Sequence, residues 1–177
     1  MSSKWNKPSK LQVHSFFASM PIISILLNYM MFDQRLFNDF KVWFISFPLI
    51  FIVGMGSWRG HVFIGNYIKH RLPEIRQTKS RILIQAFCLI PFMSLSVTFI
   101  FFLYDLIHVL SYEFSMEDFK AGLIIGFCVN LIFETLYEAD YVLERYKESV
   151  EEKQNMQQLS MFQEFDSLKN QVNPHFL

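Results

Sequence analysis

Ile82-Leu83-Ile84-Gln85-Ala86-Phe87-Cys88-Leu89-Ile90-Pro91-Phe92-Met93-Ser94-Leu95-Ser96-Val97-Thr98-Phe99-Ile100-Phe101-Phe102-Leu103-Tyr104 contains no Lys, Arg, Asp or Glu, and it is closed by Arg81 and Asp105. A helix of roughly 20 apolar residues crosses a bilayer, so this run predicts a membrane span. Three more follow from the same test. Leu11 to Phe32 is uncharged throughout. Val42 to Trp58 is a little short, but Arg59 and His61 can reach the interface along their stems; that helix is expected to continue towards Arg71 and end before Pro73. Ala121 to Phe133 is too short alone, and reaches spanning length when taken from about Glu117 to Tyr137.

The chain is 52% hydrophobic and 18% aromatic with a formal net charge of zero. That balance hides segregation, because the charges lie between the apolar runs. Lys4, Lys7 and Lys10 precede the first run, and the Arg59–Arg81 connection is also basic. The 33–41 connection is balanced, and 105–120 is acidic, with Glu113, Glu117 and Asp118. The positive-inside rule then places both termini in the cytoplasm. The first apolar run is too long, and lacks a small-residue cleavage site, for a removable signal peptide. Cys88 and Cys128 fall inside apolar runs and imply no disulfide framework. Basic residues flank spans instead of forming an aromatic-interleaved patch, so no nucleic-acid partner is expected. The partner is the lipid bilayer.

Candidate sites within the spans are few. Pro21, Pro48 and Pro91 interrupt the first three runs; kinks without function are the default, and shaping a central cavity is the functional alternative. Asp105 and His108 stand near the outer end of the third span beside the acidic connection. They are possible sensing residues, although their spacing matches no defined metal motif. Glu134 and Glu138 share a helix face one turn apart, where like charges repel. Glu134 is a possible sensing residue because acids inside spans are functional candidates, while both acids could also reach interfacial water. No metal ligand set, phosphate loop or Ser/His/Asp pattern is present.

From Tyr137 to Asn173 no Gly or Pro interrupts the sequence, which predicts one continuous helix leaving the fourth span. Leu136, Ala139, Leu143, Tyr146 and Val150 follow three- and four-residue steps, as do Met161, Phe165, Leu168 and Val172. Each set is a coiled-coil seam. The step from Val150 to Met161 shifts the phase, equivalent to a stutter. A solvated single helix is the plain alternative; a phase break can also act as a bistable joint.

The chain closes on Lys169-Asn170-Gln171-Val172-Asn173-Pro174-His175-Phe176-Leu177. Proline removes a backbone N–H and crowds the preceding turn, so the helix is expected to kink at His175 and leave its imidazole accessible. This run resembles the phosphoacceptor box of the LytS/YehU-type sensor histidine kinases, a K-x-Q-[IV]-N-P-H-F-L pattern. The resemblance implies His175 as the catalytic phosphoacceptor, with Lys169, Gln171, Asn173, Pro174 and Phe176 as its supporting motif. It implies a parallel homodimer, a response regulator of the LytTR class, and the bacterial cytoplasmic membrane. It also implies an ATP-binding domain after Leu177 that would supply ATP and Mg²⁺, so these 177 residues alone should hold no cofactor and should not autophosphorylate. An acid follows the histidine in most other histidine kinases; here Phe176 does.

The expected fold is thus an all-α membrane protein: a four-helix transmembrane sensor domain (1–138), a cytoplasmic coiled-coil stalk (139–166) and the start of a dimerisation and phosphoacceptor helix (167–177). Two other functions fit the layout: a small four-helix transporter or channel with a cytoplasmic coiled-coil tail, and a membrane-anchored scaffold. The spans lack the paired, Gly-interrupted segments of transporters.

Overall fold

The structure, a computed structural model, describes residues 7–171. Every regular element among them is helical: α1 (Lys10–Phe32), α2 (Arg35–Asn38), α3 (Phe47–Arg71), α4 (Thr78–Leu106) and α5 (Met116–Gln171). Four segments are long and apolar enough to cross a membrane, namely Lys10–Phe32, Val42–Arg71, Ile75–Leu106 and the early part of Met116–Lys169. The chain divides into two compact units, Met1–Glu138 and Ala139–Leu177.

Local chemistry sets the helix ends. Ser9 caps α1: its Oγ accepts from the Gln12 N–H, while Gln12 Oε1 accepts from the Ser9 N–H, a reciprocal box that satisfies two otherwise orphaned donors. Leu72 stops α3 just before Pro73, because the residue before a proline is disfavoured in the helical region. The three prolines differ in position. Pro48 stands at the start of α3, where its missing N–H takes one donor from the turn before it. A wide π-turn, Val42–Ser46, leads into it. Pro21 and Pro91 lie inside α1 and α4. Beyond Pro91 the Ser94, Ser96 and Thr98 hydroxyls each donate to the carbonyl four residues back. The 33–41 connection, expected as a loop, contains the short helix α2. Its Trp43 neighbour fixes it by donating Nε1–H to the Leu36 carbonyl at 2.8 Å.

The unit Met1–Glu138 sets buried polar groups within an apolar core and is apolar outside. Gln12, Asn28, Ser46, Arg81, Gln85 and Glu138 are buried, whereas Phe87 is 82% and Leu106 78% exposed. An exposed apolar surface on this scale is unfavourable in water and favourable in lipid. Burial recurs every fourth residue along α1 (Gln12, Phe16, Met20, Ser24) and along α4 (Arg81, Gln85, Leu89, Met93), the spacing of one helix face. Without a hydrophobic drive between helices in lipid, close packing and hydrogen bonds hold them. Gly60 and Gly122 give this closeness: a Cβ added there would lie 2.3 Å from the Phe92 ring and 2.6 Å from the Phe101 ring. Towards the 33–41 end, Ser46 Oγ donates to Asn28 Oδ1 and lies 2.7 Å from the Tyr104 hydroxyl. That links α1, the π-turn and α4 through buried hydrogen bonds, which are costly to leave half made.

In the unit Ala139–Leu177, α5 continues as a single helix to Gln171. Leu143, Tyr146, Met161, Phe165 and Leu168 are each 52–65% exposed, so no described residue covers these five seam positions.

Candidate functional site

Two polar features converge where α5 packs against the other helices of Met1–Glu138. The first is an ion pair. Arg81, in the first turn of α4, is fully buried, and its Nε and Nη2 donate to Glu138 Oε1 at 2.7 and 2.6 Å. Nη1 donates to the carbonyls of Leu72 and Glu74 at 2.6 and 3.2 Å, and Nη2 to Thr78 Oγ1 at 3.1 Å. One guanidinium therefore ties the α3–α4 connection, the start of α4 and the last residue of this unit together. Arginine suits the task, since its fork presents five donors in fixed directions. Glu138 is therefore buried and paired, not turned to interfacial water, and Arg81 is more than the flank of a span. Their separation of 57 positions hides the pair from any helix-spacing rule.

The second feature is a cavity of about 180 Å³ between α1, α3, α4 and α5. Ile50, Ile100 and Gly126 line one end, and Trp58, His61, Glu134 and Tyr137 the other. Most of its wall is carbon, interrupted by the hydroxyls of Ser19, Ser57 and Ser96 and the Asn130 carboxamide. Most of these polar groups are committed. Ser57 Oγ donates to Ser96 Oγ at 2.9 Å, the His61 Nδ1–H donates to the Ser57 carbonyl at 2.9 Å, and the Tyr137 hydroxyl pairs with Ser15 Oγ. Phe92 meets the His61 ring edge-on. Two groups are not committed: the Trp58 indole N–H is buried without a hydrogen-bond partner, and no described residue hydrogen-bonds the Glu134 carboxylate. Its nearest charges are Lys69 and Glu138; Lys69 Nζ donates to the Tyr137 carbonyl at 2.9 Å.

The other sequence candidates fall elsewhere. Asp105 serves its own loop, where Oδ1 accepts the Phe114 N–H at 2.8 Å. His108 adopts a left-handed backbone (φ 47°) in the turn between them. No group of three or more His, Cys, Asp or Glu suited to a metal occurs among the described residues. Lys169 is exposed in the last turn of α5, and Gln171 ends that helix. Asn173, Pro174, His175 and Phe176 lie outside the described residues, as does the kink expected there. Comparison with family models, curated proteins and solved structures finds no match.

Proposed function

We propose that this chain is the membrane-sensing part of a LytS/YehU-like histidine kinase, with His175 as its phosphoacceptor. The observation that carries the reading is the continuity of α5 from Met116 to Gln171. One helix contributes Glu134 to the cavity wall and leads, without a Gly or Pro, into Gln171-Val172-Asn173-Pro174-His175. The exposed seam at Leu143 and Leu168 fits a parallel homodimer, in which a second copy would cover it.

In this reading a neutral imidazole nitrogen of His175 attacks the γ-phosphoryl of ATP. The new N–P bond replaces the P–O bond to the leaving ADP. ATP and Mg²⁺ belong to the ATP-binding domain that the motif implies, where positioning and charge stabilisation supply most of the catalysis. The phosphoryl group then passes to a response regulator of the LytTR class. The setting is the bacterial cytoplasmic membrane, with both termini inside, supported by the Lys and Arg asymmetry of the connections. The test is labelling from γ-labelled ATP in a chain extended through such a domain. The product is expected to be acid-labile and alkali-stable, and His175→Gln abolishes it while membrane insertion persists. Undiminished labelling of His175→Gln overturns the assignment.

The cavity is the one feature that favours a small four-helix transporter or channel instead. Substrate flux through vesicles containing the chain, together with no labelling of His175, would select that reading.

A further inference from the structure

We propose that the cavity of Met1–Glu138 binds a single-chain amphiphile with an ammonium head, its head against Glu134 and its chain running towards Ile50 and Ile100. The inference concerns the cavity alone and stands whether or not His175 is a phosphoacceptor.

Shape argues for a chain. Along α5 the wall runs from Gly126 to Tyr137, which at 1.5 Å per residue is about 16 Å. A cavity of about 180 Å³ drawn out over that length is narrow. An apolar cavity of roughly 150 Å³ suffices for a compact ring, so a longer void of similar volume favours an alkyl chain. The wall agrees, since the end away from Glu134 is formed by Ile50, Ile100 and Gly126.

Charge argues for the head. Among the described residues Glu134 is the only Asp, Glu, Lys or Arg in the cavity wall. Its carboxylate receives no hydrogen bond from a described residue, although a carboxylate in apolar surroundings is costly unless paired. Glu138, one turn along, already has Arg81. Lys69, the cation that acts on Glu134, lies outside this wall: it lines a smaller void of about 20 Å³ that Glu134 shares, and its ammonium donates to the Tyr137 carbonyl. The His61 ring is held by the Ser57 carbonyl of its own helix and by the Leu89 backbone of α4. Lys69 acts on Glu134 from outside this wall, so on the cavity side an anionic head would meet only the carboxylate and a neutral head would gain no charge contact. An ammonium matches it. The stacked pairs Phe16–Trp58 and Phe133–Tyr137 surround the same end, and aromatic rings attract such cations further.

The full chain in lipid nanodiscs tests this, with dodecylamine carrying a diazirine on its chain as the probe. Photolabel mapped by mass spectrometry is expected on cavity residues such as Met20 and Met93, above the level on lipid-facing Leu83 and Phe87. Unlabelled dodecylamine should displace it at a concentration about tenfold below dodecanol or laurate, the size of one desolvated ion contact. Glu134→Gln should erase that preference, and Val129→Phe, which fills the wall, should remove the cavity label. Equal competition by all three amphiphiles overturns the ammonium assignment on the native chain, whatever the variants do. Label spread evenly over cavity and lipid-facing residues overturns the site itself.

Discussion

Replacing Glu138 with leucine would leave the Arg81 guanidinium buried without its anion. The structure sets the scale. Two guanidinium bonds end on Glu138 Oε1, and the three to Leu72, Glu74 and Thr78 remain. Breaking a buried ion pair on one side typically costs about 3–5 kcal/mol. Arg81→Met removes all five bonds and strands both carbonyls and the carboxylate, each unsatisfied group costing about 1–3 kcal/mol, so it should be the more damaging single change. The double variant Arg81→Met/Glu138→Leu strands no charge. Its loss should fall short of the summed single losses by about 2–3 kcal/mol, the coupling expected for groups in direct contact. The assay is reversible unfolding in mixed micelles, followed by helical circular dichroism, over the four-member cycle. If the single losses add, or if each stays below about 1 kcal/mol, the pair is not the clasp described here.

Three further outcomes are expected. Single cysteines at Asn38 and Ser115 should react with an impermeant thiol reagent on intact cells while Ser149→Cys stays protected, and the reverse pattern would invert the topology drawn from the charge asymmetry. Cysteines at Leu143 or Leu168 should crosslink between chains faster than one at Glu144, because the apolar seam is the surface a second copy covers; equal crosslinking around the helix means an unpaired stalk. Ser46→Ala leaves Asn28 Oδ1 without its donor, while the Tyr104 hydroxyl keeps the Ser46 carbonyl, so unfolding in micelles should show a loss of about 1–3 kcal/mol, and an unchanged midpoint would mean that water replaces the hydroxyl.

What was legible in the sequence is what depends on neighbours along the chain. Uncharged runs bounded by Arg81, Asp105 and Pro73 mark α3 and α4, and the absence of Gly and Pro after Tyr137 marks the continuous α5. Glu134 was visible because an acid beside an apolar run is conspicuous. The cavity it borders was not, since the wall draws residues from four helices. Arg81 and Glu138 carried a faint signal: the charge count puts both at the same membrane face. Choosing them as partners needed the helix packing. The helix α2 escaped notice because four residues are too few to show a period. Exposure of the seam at Leu143 and Leu168 is consistent with a coiled coil, but pairing is a property of two chains.

The wall of the cavity is not uniformly stiff. Met93, Ser96, Val97 and Ile100 of α4 line it, just past Pro91, where α4 lacks a backbone donor. The hydroxyls of Ser94, Ser96 and Thr98 draw on carbonyls that the helix ladder also uses, a sharing that bends helices slightly. Flexural rigidity in α4 is therefore low beside the void, as it is in α1 at Pro21, whose neighbours Met20 and Ile23 also line it. Under lateral stress from the surrounding lipid, strain would concentrate at these segments, and the void would change volume before the flanking contacts at Gly60 and Gly122 slip.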